Sequence, residues 1–335
     1  MEFAESAKIR REKMNFKKIA LGIIAISIVV IAIIFLLTGG KKGNKINNDK
    51  LQIVSSNFAS YDFLRAIIGD NENVELTFLV GPGKDTHSYD PTAQDLIKIQ
   101  NADMFVYIGG EMEKWSDKVL EALEDTNSKI ICIADDIDKV EEKEIDGAEK
   151  ENEENEEGAF DEHIWTSPAN AIKMVEVLEK NMEEIDSKNS NKYKQNSENY
   201  IAKIKEVDKK IQKVVDNKKR DRLIFGDKMP MQYFIDYYNL KVSSAFNGCS
   251  TETEPSASTI AYLEKKAKEE KLPVILYIEL NPGKVAKTIA NEIGNGCEAM
   301  QIQSLHNISL DDFQNGETWV SLMERNINVL EKALD

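Results

Sequence analysis

The chain has 335 residues, 41% of them hydrophobic and 30% charged, a balance typical of a folded protein with a sizeable core rather than a disordered one. Its formal net charge of −16 argues against nucleic-acid binding, because phosphates require a basic surface. The three cysteines, Cys132, Cys249 and Cys297, include no close pair, which excludes a Cys-x-x-Cys metal site and a dense disulfide framework but leaves a single bridge between Cys249 and Cys297 open.

An apolar run over residues 19–38 follows a short N-terminus rich in lysine and arginine. A helix of this length spans a hydrocarbon core of about 30 Å, and the basic residues predict that residues 1–18 are cytoplasmic and the rest of the chain extracytoplasmic. A cleaved signal peptide is the alternative, but no small-x-small cleavage pattern follows the run. We therefore expect an uncleaved transmembrane anchor, followed by a linker over residues 39–50. The run ends like a bacterial lipoprotein signal in which Gly40 replaces the lipid-accepting cysteine, so no lipid is expected.

From residue 51, short apolar runs at residues 51–54, 76–80, 103–108 and 129–134 alternate with helical patterns. This alternation predicts an α/β lobe with a largely parallel sheet over residues 51–186. Residues 138–160 are crowded with charged side chains, and we expect them to form a mobile acidic loop.

A single apolar stripe runs from Tyr193 to Val214 at helical spacing. It predicts a helix over residues 187–216 that is long enough to bridge two lobes. Beyond it, strand-like runs at residues 222–226 and 273–279 alternate with helical stretches at residues 256–270 and 317–334. The pattern predicts a second α/β lobe over residues 217–335.

The chain contains three histidines, and each is expected in a loop beside a strand or helix end, where binding sites tend to be built. His87 lies in a turn rich in glycine and proline after a predicted strand, and His306 follows a strand of the second half. His163 precedes a helix, and Asp161 or Glu162 is placed to accept a hydrogen bond from its ring. Because imidazole is the commonest protein ligand of metals, the three histidines are candidate ligands.

Several other segments match the motifs of one family in order and spacing. They are residues 83–91, 102–115, 161–165, 193–200, 254–256 and 273–279. With them, nearly all of residues 51–334 resembles the substrate-binding proteins of zinc and manganese ABC importers. The resemblance implies two Rossmann-like lobes joined by one rigid helix, with the metal held in the cleft between them. It also implies that His87 and His163 are the first two ligands.

The resemblance departs from the family pattern at the third and fourth ligands. The usual third-ligand position, five residues before a Tyr-Phe pair, holds Lys228 here, which is expected to point away from a cation. Asp227 is therefore the replacement candidate, while His306 falls where the family usually has an aspartate. Three carboxylates are candidates to support the ligands or complete the metal sphere: Glu279, Glu252 and Asp161.

Three imidazoles and one carboxylate suit tetrahedral Zn²⁺ better than Mn²⁺, which prefers more oxygen ligands. The resemblance implies delivery of the metal to an ABC permease powered by a cytoplasmic ATPase. We expect a monomeric bacterial protein. Two alternatives stay open: a surface adhesion or interaction protein with a structural metal, and a zinc hydrolase. The hydrolase is disfavoured because a His-Glu-x-x-His helix and an evident general base are missing, so we expect no enzyme.

Overall fold

The computed structural model describes residues 50–84, 86–123, 128–149, 160–248 and 254–335. The predicted membrane segment at residues 19–38 and the linker up to residue 49 lie outside these ranges, as do Cys249 and Glu252. Within these ranges, no helix is both long and apolar enough to cross a membrane. Residues 49–335 form one compact unit.

The first lobe is built on a parallel sheet of four strands in the order β2-β1-β3-β4. The strands are β1 (Leu51–Ser55), β2 (Val74–Phe78), β3 (Met104–Tyr107) and β4 (Lys129–Cys132). The α-helices described in this lobe are α1 (Phe58–Ile68), α2 (Ala93–Asn101), α3 (Trp115–Leu123) and α4 (Pro168–Ile185). Loops at the carboxyl edge of such a sheet are where ligand sites form in α/β proteins.

The second lobe repeats this strand order. Its parallel sheet runs β6-β5-β7-β8, with β5 (Arg222–Lys228), β6 (Lys241–Phe246), β7 (Val274–Ile278) and β8 (Glu298–Ile302). The helices are α6 (Gln232–Tyr237), α7 (Ala257–Glu269), α8 (Lys284–Ile293), α9 (Leu310–Gln314) and α10 (Trp319–Leu334). The predicted α/β class with two parallel-sheet lobes is therefore confirmed.

Helix α5 (Ser190–Asp216) links the two lobes. Its 27 residues give a length of about 40 Å. The buried face begins at Tyr193, as predicted, and ends at Val215, while Val214 is only half-buried. This helix packs against α1, α4 and α10, so the predicted connecting helix is confirmed.

A buried carboxylate ties α1, α5 and α10 together. The side chain of Asp62 accepts hydrogen bonds from the Arg65 guanidinium, the Tyr200 hydroxyl and the backbone N–H of Trp319. Arg65 also donates to the carbonyl of Glu317, at 2.7 Å. Burial raises the pKa of Asp62 against the opposing charge of Arg65. The network therefore fixes both lobes to the connecting helix at one point.

The prediction of a mobile acidic loop is wrong for residues 140–149, which pack against the second lobe. The side chain of Gln232 accepts from the N–H of Lys143 at 2.9 Å and donates to the carbonyl of Glu141 at 2.8 Å. Ile145 is buried, and Asp146 pairs with Arg222 and other side chains of the second lobe. These partners lie about a hundred positions away in the sequence, so composition alone gave no signal of them.

Replacing Asp62 with alanine tests the network around this carboxylate. Asp62→Ala should lower the free energy of unfolding by about 3 kcal/mol, because the half-buried Arg65 and two buried donors lose their acceptor. Urea unfolding of the purified chain measures the change. Asp70→Ala, which removes an exposed carboxylate just beyond α1, should leave the urea midpoint unchanged. Equal shifts in the two variants would contradict this account of the network.

Candidate metal centre

The structure brings the three histidines together between the lobes. One potential ligand atom from each of His87, His163 and His306 lies within 4.8 Å of the other two. The ring centroids are 4.8 Å apart for His87 and His306, 5.5 Å for His163 and His306, and 6.0 Å for His87 and His163. Tetrahedral zinc with Zn–N bonds of about 2.0–2.1 Å needs nitrogens roughly 3.3 Å apart. Ligand atoms that already lie within 4.8 Å of one another therefore need only a small shift to bind zinc.

His87 follows β2 through a short turn. The strand end is held by a hydrogen bond of 2.8 Å from the N–H of Leu79 to the carbonyl of Ser55. Gly81 and Gly83 then each adopt a φ of 76°, a left-handed conformation that glycine tolerates and most residues do not. His87 itself is half-buried, whereas the other two histidines are buried.

His163 is fixed by the carboxylate of Asp161. One oxygen of Asp161 lies 3.2 Å from Nδ1 of His163 and also accepts its backbone N–H at 2.8 Å. Burial lowers the pKa of His163, but the charge of Asp161 and its hydrogen bond outweigh this and raise it. Nε2 is buried and has no hydrogen-bond partner in the described part of the chain. A carboxylate on one ring nitrogen and a free second nitrogen is the usual arrangement of a metal-binding histidine.

His306 is held by Glu279 at the end of β7. The Glu279 carboxylate accepts the backbone N–H of Ser304 at 2.7 Å, the Ser304 hydroxyl at 2.8 Å and the backbone N–H of His306 at 2.9 Å. Nε2 of His306 lies 2.9 Å from Oγ1 of Thr86, in the opposite lobe. Burial, together with the charges of His87 and His163, holds the pKa of His306 well below its usual range, so its ring is neutral and competent to bind metal.

The structure does not bring Asp227 into this cluster. Its carboxylate accepts hydrogen bonds from the backbone N–H of Lys228 at 2.9 Å, the Asn281 amide at 2.8 Å and the backbone N–H of Ile278 at 3.1 Å. It therefore joins the ends of β5 and β7 within the second lobe. Lys228, expected to point away, lies close enough for its charge to help lower the pKa of His306.

Sequence reasoning missed the residues that hold the ligand segments across the cleft. The indole of Trp165 donates to the carbonyl of Ser304 at 3.0 Å, and the indole of Trp319 donates to the carbonyl of Trp165 at 2.9 Å. Asn307 donates to the turn before His87. Trp165 belongs to a matched motif, but no local pattern indicates its partners because they lie more than a hundred residues away.

Comparison with known proteins gives a consistent match. The family model of the periplasmic zinc-uptake complex component A, ZnuA, matches residues 53–333. The zinc-binding lipoprotein AdcA of Streptococcus pneumoniae is 30% identical over 311 residues, covering 92% of this chain but 61% of that protein. The high-affinity zinc uptake system protein ZnuA of Bacillus subtilis is 30% identical over 319 residues, covering 91% of this chain and 96% of that one.

Solved structures show the same fold. The crystal structure of the Zn(II)-bound ZnuA-like domain of Streptococcus pneumoniae AdcA superposes with a TM-score of 0.71 at 27% identity. The match covers 85% of this chain and 99% of that domain. The two-lobed arrangement is therefore shared with a domain whose crystals contain zinc.

The affinity of the cluster for zinc should depend on pH, because protons and zinc compete for the same nitrogens. The pKa of His163 is raised above its ordinary value, so this ring takes up a proton at a higher pH than an exposed histidine does. Affinity should therefore be highest above that pKa and fall by at least about tenfold from about pH 8 to about pH 6. Competition with a chelator of known pH dependence measures it, and a flat profile would contradict the histidine site.

Proposed function

The chain belongs to the ZnuA family of periplasmic zinc-uptake components, and from that membership we propose that it captures Zn²⁺ outside the cytoplasm and delivers it to an ABC permease. His87, His163 and His306 are the proposed ligands. They come from three separate segments, two of which begin at the carboxyl ends of strands in different lobes. Zn²⁺ is thus the cargo, and its capture joins the two lobes.

The observation that carries the proposal is the state of the His163 ring. Its Nδ1 is occupied by Asp161, while its Nε2 is buried without a hydrogen bond in the described ranges, beside two other imidazoles. Leaving a buried polar group unsatisfied costs about 1–3 kcal/mol. A cation bound at this nitrogen removes that cost and explains why three imidazoles converge in a buried place.

The ligand chemistry favours zinc over manganese. Three imidazole nitrogens suit Zn²⁺, whereas Mn²⁺ prefers more oxygen ligands and a higher coordination number. Because the Asp227 carboxylate is engaged between β5 and β7, we infer that water fills the fourth zinc position. An open position also allows a cargo ion to exchange.

We infer binding and release rather than catalysis at this site. Glu279 accepts hydrogen bonds with both of its carboxylate oxygens, and Asp161 is hydrogen-bonded to His163. Both carboxylates therefore hold ligand-bearing segments in place. A general base for hydrolysis would instead have to reach a zinc-bound water.

We propose that a single N-terminal anchor at residues 19–38 keeps the protein at the cell membrane. Residues 1–18 are proposed to be cytoplasmic and residues 39–50 to form the linker. The folded unit then comprises a lobe at residues 51–186, the connecting helix at residues 187–216 and a lobe at residues 217–335. This arrangement keeps the metal centre on the extracytoplasmic side, where it can meet both free zinc and the permease.

Zinc titration of the purified chain tests the proposed function. About one Zn²⁺ per chain should bind, and at a free concentration about 100 times Kd it should stabilise the fold by about 2.7 kcal/mol. His163→Ala should weaken binding by at least about a hundredfold, because it removes one of three nitrogen ligands. Ser167→Ala, which alters another buried side chain nearby, is the matched control and should bind like the unaltered chain.

Two outcomes would contradict the proposal. Equal melting temperatures with zinc and with chelator would remove zinc as the ligand. Zinc that stays bound in excess chelator for days would point instead to a structural metal, as in the alternative of a surface interaction protein. A separate titration with Mn²⁺ should give weaker binding than Zn²⁺ at the same pH.

The anchor can be tested by fractionation of bacterial cells that express the full chain. The chain should remain with the membranes and keep its N-terminus, because the apolar run lacks a cleavage pattern. A variant in which residues 1–38 are replaced by a cleavable signal peptide should appear in the soluble extracytoplasmic fraction. Release of the unaltered chain without its first forty residues would show that the segment is a signal peptide.

A further inference from the structure

The three histidines differ in their access to solvent. His163 is fully buried and His306 is 9% exposed, while His87 is half-buried. The cluster therefore meets solvent on the side of His87.

The segments that carry His163 and His306 are each held firmly. The segment of His163 is tied by the Trp165 indole to the carbonyl of Ser304, and the adjacent Glu162 accepts the backbone N–H of Met112 at 2.9 Å. The segment of His306 is held by the buried Glu279 carboxylate, which accepts its backbone N–H. Neither ring can move outward without breaking buried hydrogen bonds.

The turn at residues 81–84, which leads to His87, is held differently. A Cβ added at Gly81 or Gly83 would meet no atom within 4 Å, so close packing does not confine these two positions. The turn instead meets the second lobe through backbone polar groups. The N–H of Gly83 donates to the carbonyl of Ile308 at 2.8 Å.

Asn307 makes a second link to this turn. Its amide Nδ2 donates to the carbonyl of Gly81 at 3.2 Å and to the carbonyl of Lys84. Its Oδ1 accepts the N–H of Ile308 at 2.6 Å, which fixes the orientation of the amide so that the NH₂ group faces the turn. Asn307 is 1% exposed, so these hydrogen bonds form in surroundings where an unmade bond is costly.

We propose that Asn307 is a positioning residue that determines how long zinc stays in the cleft: it holds the turn at residues 81–84 against the second lobe, and so keeps His87 closed over the cluster. Zinc enters and leaves beside His87 when this turn separates from Asn307. Lys84 is three residues from His87, a separation of at most about 10 Å, so the position of the turn limits where the ring can lie. This proposal rests on the proposed function, since it concerns the release of zinc from the same site.

The rates at which the full chain, kept in mild detergent, binds and releases zinc test this role of Asn307. Asn307→Ala should speed zinc release into excess chelator by at least about tenfold, because the closed turn loses two donors. Association should change by less than about threefold, since an open turn does not obstruct entry. A residue with only a structural role would lower the melting temperature of the zinc-free chain without this division between the two rates.

Two further variants make the test decisive. Asn71→Ala is the matched control: Asn71 is also buried, and its amide also links distant segments, donating to the Tyr193 hydroxyl at 2.8 Å. It should lower stability but leave the release rate within about threefold of the unaltered chain. Gly83→Ala disfavours the closed turn without touching Asn307, because alanine is strained at a φ of 76°, and it should also speed release.

The outcomes separate the two proposals. If the unaltered chain binds no zinc, the proposed function fails. If it binds zinc but Asn307→Ala and Gly83→Ala both release it at the unaltered rate, the role of Asn307 is overturned and the function stands. Equal acceleration by Asn71→Ala would also overturn it, because general destabilisation would then explain the effect.

Discussion

The buried nitrogen of His163 is the constraint on which the cleft depends. A buried polar nitrogen without a partner costs about 1–3 kcal/mol, and a cation bound at that nitrogen removes the cost. Asp161 directs that nitrogen, Trp165 holds its segment against the second lobe, and Glu279 holds His306 opposite it. The segments that carry the proposed metal ligands therefore also make contacts between the two lobes.

Much of the fold follows from local sequence patterns. Alternating apolar runs and helical stripes predicted two α/β lobes, and the stripe beginning at Tyr193 predicted the connecting helix, because strand and helix periodicities are local properties. The scarcity of histidine made all three conspicuous. The structure then placed them within 4.8 Å of one another, which no spacing along the chain could establish.

The parts that could not be predicted depend on contacts between residues far apart in the chain. Asp227 was the candidate for the remaining ligand, but both of its carboxylate oxygens accept hydrogen bonds at the ends of β5 and β7. The segment around Asp146 was expected to be mobile because it is charged, yet the Asp146 carboxylate pairs with Arg222 and Lys266 of the second lobe. In each case the sequence shows the charged residue but not the distant residue with which it pairs.

Anomalous diffraction at the zinc absorption edge, from crystals of the zinc-loaded chain, tests this account most directly. The account predicts one strong peak between the lobes, about 2.0–2.1 Å from a ring nitrogen of each of His87, His163 and His306, with a water at the fourth position. A peak coordinated by Asp227, or one bound elsewhere while the three imidazoles remain uncoordinated, would contradict it.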